Sequence, residues 1–336
     1  MANQKLQAKE IRLVSRPQGE PSQENFALTS VELPELQQGE VLVRNSYFSI
    51  DPYMRGRMSE AASYVMPFML GKAMEGAAVG QVVQSRDPGF PVSTWVQSRF
   101  GWRDYYVAPA AQLHTIDATR APASAYLGVL GPTGLTAWVG LNDIGKMKEN
   151  ETVFISAGAG AVGSVACQLA KLHGCHVIAS AGSPAKVAFL KNQLKVDYAF
   201  NYRESDPQQQ LQLAAPDGLH LYFDSTAGPQ LEAALGTMRN HGRVVMCGAI
   251  AGYNTPLPGP HNLALVIIRR LRLEGFIVAD YLHQMPAFLA QMIPLLRTGK
   301  VLHQETAIDG IENAPDAFIS LLQSGDTHLG KLVIRL

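Results

Sequence analysis

The most informative chemistry in this sequence is a glycine-rich turn in the middle of the chain, at residues 158–163. Its Gly-x-Gly-x-x-Gly spacing follows the apolar run 152–156 and opens the helical pattern 162–173, which is the context that a dinucleotide-binding turn requires. The first glycine allows a tight turn, the second lets the backbone approach a pyrophosphate, and the third lets helix and strand pack closely. The N–H groups at the helix start would then face the phosphates. We expect phosphate contacts from Gly158, Ala159, Gly160, Ala161, Val162 and Gly163.

The segment that follows this turn indicates which dinucleotide is bound. An NAD site usually places an acidic residue about 20 residues beyond the motif, where it binds the ribose 2′-hydroxyl. No Asp or Glu occurs in residues 152–196. Instead Ser183 can cap the next helix and Lys186 lies in its first turn, where a positive charge would attract the extra phosphate of NADP. Tyr202 and Arg203, past the third strand, could close the same pocket, so the sequence predicts NADP(H) rather than NAD(H).

The metal-ligating residues are too few for a zinc enzyme. Residues 1–150 contain no cysteine and only one histidine, His114. The three cysteines, Cys167, Cys175 and Cys247, all lie in the part of the chain with the glycine turn. Catalytic zinc needs three protein ligands and structural zinc needs four, so no ligand set can be assembled and we predict no metal. An odd number of unpaired cysteines also favours a reducing compartment, the cytoplasm.

Composition narrows the possible partners. The chain has 336 residues with 28 Lys and Arg against 28 Asp and Glu, so it lacks the basic field that nucleic acid or an anionic membrane would require. The uncharged stretches 121–142 and 152–170 are interrupted by Gly, Pro, Ser or Asn, unlike a membrane-spanning helix. We therefore expect no nucleic-acid and no membrane partner.

Two kinds of patterning divide the chain. Residues 1–125 show short apolar or alternating runs, at 41–50, 76–83 and 102–107, which predict a small barrel or sandwich. After residue 150, strands and helices alternate about every 20–25 residues, the rhythm of a doubly wound parallel sheet. We expect an α/β protein with a β-rich domain at 1–125, completed by 300–336, and a dinucleotide-binding domain at 126–299.

Two runs carry a family resemblance. Ser-Ile-Asp-Pro-Tyr-Met-Arg-Gly-Arg-Met at 49–58 and Cys-Gly-Ala-Ile-Ala-Gly-Tyr-Asn at 247–254 are similar to motifs of the zinc-free medium-chain dehydrogenase/reductases, in the leukotriene B4 dehydrogenase/prostaglandin reductase family with its bacterial curcumin-reductase-like members. Shorter matches at 128–137, 157–163, 257–260, 274–278 and 312–315 extend the resemblance over nearly the whole chain. It implies a GroES-like barrel domain beside a Rossmann domain.

The resemblance also implies cofactor contacts. It matches Lys186 and Tyr202 to the 2′-phosphate, residues 247–253 to the loop along the nicotinamide ribose, and residues 276–278 to the end of a strand, 273–278, that runs beside the nicotinamide. Two positions depart from the family pattern: Ser225 and His328 stand where the family has Asn. The residues added to the cofactor-binding set are Cys247, Gly248, Ala249, Ile250, Tyr253, Phe276, Ile277, Val278, Ser225 and His328.

The family activity would be hydride transfer from NADPH to the β-carbon of a small hydrophobic α,β-unsaturated ketone or aldehyde, through an enolate. Tyr53, Tyr64 and Tyr253 are the candidates for polarising the carbonyl, because a tyrosine hydroxyl stays protonated and can donate to an oxyanion. Each could instead be a packing or cofactor-contacting residue. Quinone reduction, or NADPH binding without turnover, remain alternatives, and the architecture favours a homodimer.

Three charged residues surround Tyr53 in the same run. Arg55 and Arg57 could attract an acidic substrate tail, or they could be solvated surface arginines or members of ordinary ion pairs. Asp51, which precedes a proline, is more typical of a residue that fixes its own loop than of a base.

Overall fold

The computed structural model describes residues 6–323 and 328–336. In chain order its strands are β1 (Gln7–Leu13), β2 (Phe26–Glu32), β3 (Glu40–Ser49), β4 (Ala78–Ser85), β5 (Trp95–Ser98), β6 (Tyr105–Pro109), β7 (His114–Thr115), β8 (Thr152–Ile155), β9 (His176–Ala181), β10 (Tyr198–Asn201), β11 (Leu219–Asp224), β12 (Met238–Met246), β13 (Arg272–Gly275), β14 (Glu305–Asp309) and β15 (Lys331–Arg335). Its α-helices are α1 (Met54–Arg57), α2 (Pro132–Val139), α3 (Ala161–Leu172), α4 (Pro184–Asn192), α5 (Pro207–Ala214), α6 (Gly228–Thr237), α7 (Ala264–Ile268), α8 (Met285–Arg297) and α9 (Ala314–Leu322).

These elements form two compact units. The β-rich unit takes residues 6–127 together with Glu305–Gln323 and Lys331–Leu336. The parallel-sheet unit takes Gly128–Gln304 and residues 328–330.

The main sheet of the β-rich unit has the strand order β14-β15-β3-β4-β5-β7, and β6 also pairs with β3. The last strand, β15, runs antiparallel to β3, with Val333 opposite Ser49. The core on one side of this sheet is aromatic, with Trp102 stacked 6.2 Å from Phe26 and both rings meeting Phe318 edge to face. The predicted β-rich character of the first part of the chain is therefore confirmed.

The parallel-sheet unit contains six parallel strands in the order β10-β9-β8-β11-β12-β13. This is the order of a doubly wound dinucleotide-binding sheet, so the predicted fold class is confirmed. The central strand β8 is apolar and buried after its first residue, as expected where helices cover both faces of a sheet, and Phe154 of this strand stacks 4.7 Å from Tyr222. The strand order reverses between β8 and β11, and ligands of such sheets bind where the strands end at that reversal.

Across residues 6–323 and 328–336, no helix combines the length and the apolar character needed to cross a bilayer.

Candidate functional site

The predicted glycine turn joins β8 to α3 and has room for a ligand at one position. A Cβ at Gly163 would overlap the carbonyl oxygen of Ala157, and one at Gly158 would lie 2.9 Å from the Cβ of Ala179. Among residues 6–323 and 328–336, a Cβ at Gly160 would meet only that carbonyl oxygen of Ala157 within 4 Å, at 3.2 Å. Gly158 and Gly163 therefore serve internal packing, whereas Gly160 leaves the backbone open to a pyrophosphate. This arrangement fits a dinucleotide.

The start of α3 is suited to a phosphate. Gly160 is its N-cap residue and supplies no side-chain cap, so the first amides of this twelve-residue helix are left for an anion. The neighbouring Ala159 is buried and its carbonyl accepts a 2.8 Å hydrogen bond from the Gly330 amide. Gly160 and Gly330 also form an isolated bridge, so the stretch 328–330 runs along the glycine turn.

The turn between β9 and α4 gathers the residues predicted for the 2′-phosphate. Ser183 is the N-cap of α4 and its hydroxyl accepts the Lys186 amide at 3.4 Å, which confirms the predicted cap. The position that a Cβ would take at Gly182 lies 3.1 Å from the Tyr202 hydroxyl and 3.4 Å from Nε of Arg203. A cationic helix start, a hydroxyl and a guanidinium thus surround one turn. That arrangement suits an anion of high charge.

His328 lies within electrostatic reach of the same turn. Its side chain is buried, and burial, followed by the positive charge of Lys186, lowers its pKa below the ordinary value. His328 is therefore a neutral imidazole at neutral pH. The predicted contact with the cofactor remains a prediction.

The loop after β11 is organised by a buried carboxylate that sequence reasoning missed. Oδ1 of Asp224 accepts hydrogen bonds at 2.8 Å from the Tyr222 hydroxyl and from the amides of Thr226 and Ala227. Burial raises the pKa of Asp224, and these donors oppose that rise. The only sequence signal was an Asp at the end of an apolar strand, which is common enough to go unnoticed.

Ser225 connects this loop to its neighbours on either side. Its amide donates to the Ser156 hydroxyl at 2.9 Å, immediately before the glycine turn, and its hydroxyl lies 3.3 Å from Sγ of Cys247. Burial raises the pKa of the Cys247 thiol to about 12, so this cysteine is not a nucleophile at neutral pH. The departure from Asn at position 225 thus leaves a hydroxyl at the end of β11.

The predicted ribose loop, residues 247–253, lies along the Ser225 segment. The Gly248 amide donates to the Asp224 carbonyl at 3.3 Å, and the Ile250 amide donates to the Ser225 carbonyl at 3.3 Å. Ala249 precedes a short 3-10 turn at Ile250–Gly252, and burial raises the pKa of Tyr253 just beyond it. The loops after β8, β11 and β12 therefore meet through hydrogen bonds.

The nicotinamide-strand prediction needs one correction. The strand was expected to run through residue 278, but β13 ends at Gly275, and Phe276, Ile277 and Val278 follow its carboxyl end. The physical reason is that the partner strand β12 ends at Met246, opposite Gly275, so the residues that follow have no strand to pair with, and 3-10 turns begin at Val278. The Phe276 ring lies 6.0 Å from Tyr281, edge to face.

Of the three candidate tyrosines, Tyr53 in the β-rich unit is the one packed against a buried core. It precedes α1 and packs against the aromatic core. Burial, and then the nearby Asp51 carboxylate, raises the pKa of Tyr53 to about 12, so its hydroxyl stays a hydrogen-bond donor at neutral pH. Tyr64 is 62% exposed and interacts electrostatically with Tyr53. Tyr253 belongs to the parallel-sheet unit.

The two arginines of the same helix hold loops within the β-rich unit. Arg55 Nη2 donates to the Gly19 carbonyl at 2.7 Å. Arg57 Nη2 pairs with Glu75 at 2.7 Å, and its guanidinium lies 4.1 Å from the centre of the Phe68 ring. Both side chains are buried, so neither is a solvated surface arginine. Arg57 forms an ion pair and Arg55 binds a backbone carbonyl, and these contacts favour a structural role over capture of a substrate tail.

Within the part of the chain that the structure describes, no three His, Cys, Asp or Glu side chains are grouped so that they could hold a metal ion.

Comparison with known proteins assigns the chain to a family. Residues 9–116 match the N-terminal domain of oxidoreductase, and residues 161–294 match the domain described as zinc-binding dehydrogenase. The 2-alkenal reductase (NADP(+)-dependent) of Nicotiana tabacum is 39% identical over 334 residues, 97% of this chain and 96% of that protein. The NADPH-dependent curcumin reductase of Escherichia coli (strain K12) is 38% identical over 343 residues, 100% of this chain and 99% of that protein.

A solved structure agrees with these matches. The crystal structure of CurA in complex with NADPH from Vibrio vulnificus has a TM-score of 0.92 and 40% sequence identity, over 97% of this chain and 98% of that one. Similarity at this level spans both units and both family domains. The chain belongs to the leukotriene B4 dehydrogenase/prostaglandin reductase family of medium-chain dehydrogenase/reductases, as its motifs predicted.

Proposed function

We propose that this protein is an NADPH-dependent reductase of the carbon–carbon double bond in α,β-unsaturated ketones and aldehydes. The observation that carries the cofactor assignment is the turn at Gly182, where Tyr202 and Arg203 adjoin the helix start that presents Lys186. No acidic residue lies in the first turn of that helix. The substrate class is supported by relatives whose names specify 2-alkenals, pulegone and curcumin.

The residues proposed to hold NADPH come from the ends of several strands. The open backbone at Gly160 and the start of α3 would take the pyrophosphate, and Ser183, Lys186 and Tyr202 the 2′-phosphate. The remaining contacts would come from Ser225, Cys247, Gly248, Ala249, Ile250, Tyr253, Phe276, Ile277, Val278 and His328.

NADPH, when bound, supplies a hydride for the β-carbon of the substrate. The task of the protein is then to stabilise the negative charge that develops on the carbonyl oxygen. We assign this to the neutral hydroxyl of Tyr53, which donates a hydrogen bond to that oxygen, with Tyr64 and Tyr253 as the further candidates. A proton from solvent completes the α-carbon, so a hydride and a proton add across the double bond in total.

Domain roles and assembly complete the proposal. We assign the substrate to residues 1–125 and 300–336 and the cofactor to residues 126–299.

We further propose a cytoplasmic homodimer that joins through β13, an end strand of its sheet. Ile267 and Ile268 precede this strand, and their side chains are 80% and 62% exposed. The three cysteines are free, as a reducing compartment would require. Light scattering on the purified protein, with Ile267→Lys as the disrupting variant, tests the dimer.

The reaction is tested by following NADPH oxidation with trans-2-alkenals, alkenones, a curcumin-type dienone and a quinone, using NADH as the control. We expect turnover with enals and enones, a saturated product identified by mass spectrometry, and a strong preference for NADPH. Turnover of the quinone alone would favour a quinone reductase. Tight NADPH binding without turnover of any compound would favour a non-catalytic cofactor-binding protein.

A further inference from the structure

A lysine is buried next to the turn that carries Tyr53. Lys331 is the first residue of β15, and its side chain is only 3% exposed. Its Nζ donates to the Ile50 carbonyl at 2.7 Å, to Oδ1 of Asp51 at 2.9 Å and to the Leu332 carbonyl at 3.0 Å. An ammonium group has three hydrogens, so this side chain is fully satisfied.

The carboxylate that pairs with Lys331 belongs to Asp51 and is also largely buried and hydrogen-bonded. Asp51 is 14% exposed, and its second oxygen, Oδ2, accepts a hydrogen bond from the Ser49 hydroxyl. The prediction that Asp51 fixes its own loop is consistent with this arrangement, but the contact that sequence analysis could not anticipate is with a residue 280 positions away.

The energetics of this pair favour a geometric role over a stabilising one. Removing each ion from water costs several kcal/mol even after relaxation, and well-packed apolar residues often replace a buried ion pair without loss of stability. Burial of this ion pair is therefore weak evidence that Asp51 and Lys331 serve stability. The pair instead fixes geometry, because its hydrogen bonds hold the backbone at residues 50–51 against β15.

Tyr53 is only two residues from Asp51, and hydrogen bonds hold the backbone between them. The Asp51 carbonyl accepts the Met54 amide at 3.2 Å, which begins α1, and Tyr53 lies between these two residues. The Ile50 amide also donates to the Leu332 carbonyl at 3.2 Å, so β15 holds both the backbone and the side chain at the start of the turn. The backbone on both sides of Tyr53 is therefore held by hydrogen bonds.

We propose that Lys331 is a positioning residue for the reduction, because by holding Asp51 and the Ile50 carbonyl it orients the turn from which Tyr53 presents its hydroxyl to the substrate carbonyl. This inference rests on the proposed function and on the role assigned there to Tyr53. Lys331 itself contacts neither substrate nor cofactor in this proposal.

The test is a double-mutant cycle on the full-length protein with a trans-2-alkenal as substrate. Lys331→Met keeps an unbranched side chain that is one atom shorter and removes its charge. A misplaced catalytic group can cost about a hundredfold in rate, so we expect kcat to fall about ten- to a hundredfold. The KM for NADPH should stay within about twofold, because the residues proposed for the cofactor belong to the other unit.

The decisive comparison is made in the Tyr53→Phe background. If Lys331 acts through Tyr53, adding Lys331→Met to Tyr53→Phe should change kcat by less than about twofold, since coupled residues are not additive. Multiplicative losses in the double variant would overturn the proposal, because Lys331 would then act on something other than Tyr53. An unchanged kcat in Lys331→Met would overturn it equally.

Arg335→Met is the matched control. Arg335 lies on the same strand and also pairs with a carboxylate, Asp309, but that pair is exposed. We expect wild-type kcat from this variant, and a loss equal to that of Lys331→Met would show a general effect on β15.

A second variant distinguishes a loss of folding from a loss of positioning, and the wild-type activity distinguishes failure of this proposal from failure of the proposed function. If Lys331→Met fails to fold because Asp51 is left alone, Asp51→Asn with Lys331→Met removes both charges and is measured instead, with circular dichroism as the folding check. Failure of both variants to fold would assign Lys331 a structural role and overturn the proposal. An active wild type with an unaffected Tyr53→Phe would overturn it while leaving the proposed function intact, whereas an inactive wild type would overturn both.

Discussion

The Tyr202 hydroxyl lies directly beside Gly182, 3.1 Å from the position that a Cβ would occupy there. Because Gly182 has no side chain, Tyr202 and Arg203 can approach the residue that immediately precedes Ser183, the cap of α4. The end of β9 thereby becomes a site where positive charge and hydroxyl donors converge. A side chain at position 182 would force Tyr202 and Arg203 to shift away from this turn.

The charge of Lys186 should decide the choice of cofactor. A hydrogen bond to a charged group contributes about 1.5–3 kcal/mol, so Lys186→Ala should raise the Kd for NADPH about ten- to a hundredfold. The Kd for NADH, which lacks the 2′-phosphate, should change little. Fluorescence titration of both nucleotides measures this, with the exposed Lys191 of the same helix as the matched control in Lys191→Ala. Equal weakening of both nucleotides would contradict the assignment.

The glycines of the turn should separate stability from cofactor binding. Gly163→Ala places a methyl group onto the Ala157 carbonyl, so we expect a loss of about 1–3 kcal/mol in the free energy of unfolding. Gly160→Ala meets that oxygen at 3.2 Å, a smaller conflict, and should cost less stability while weakening NADPH binding. Urea unfolding and nucleotide titration of both variants test this. Gly160→Ala with unchanged affinity would argue against pyrophosphate at this position.

Ala227 stores backbone strain at the loop that Asp224 organises. Its φ of 57° and ψ of −150° fall in a region that only glycine occupies readily. Such strain costs about 1–3 kcal/mol and glycine loses about 0.5–1 kcal/mol in entropy, so Ala227→Gly should stabilise the protein by about 0.5–2 kcal/mol.

The thermal unfolding midpoint, Tm, of Ala227→Gly relative to wild type measures this change in stability. Ala233→Gly, within the regular part of α6, is the control and should lower the Tm. A lower Tm for Ala227→Gly would show that the surrounding hydrogen bonds, rather than the residue type, maintain this conformation.

His328 should make stability depend on pH. Burial, and then Lys186, lowers its pKa in the folded state, so the unfolded chain binds the proton more readily. The contribution of the neutral imidazole is complete above the unfolded pKa of about 6.5 and is lost as pH falls below it. His328→Asn removes this dependence, and urea unfolding of both proteins from pH 8 to pH 5 checks it. Parallel stability curves would contradict the prediction.

Much of this protein follows from local patterns in its sequence. The alternation of strands and helices, the glycine turn and the Ser183 cap were predictable because each depends on residues within a few positions of one another. The absence of Asp and Glu from residues 152–196, with Lys186 at a helix start, indicated the third phosphate by the same kind of local reasoning. Motif similarity then extended the interpretation to the family.

The tertiary structure decided what distant residues do to one another. Pairing of β15 with β3 buries Lys331 against Asp51, and nothing near Lys331 in the chain distinguishes it from an exposed strand lysine. Arg55 and Arg57 likewise had two interpretations until their partners appeared. A charged side chain is inexpensive in water and costly in a protein interior, so its role depends on the partners that the complete fold brings to it.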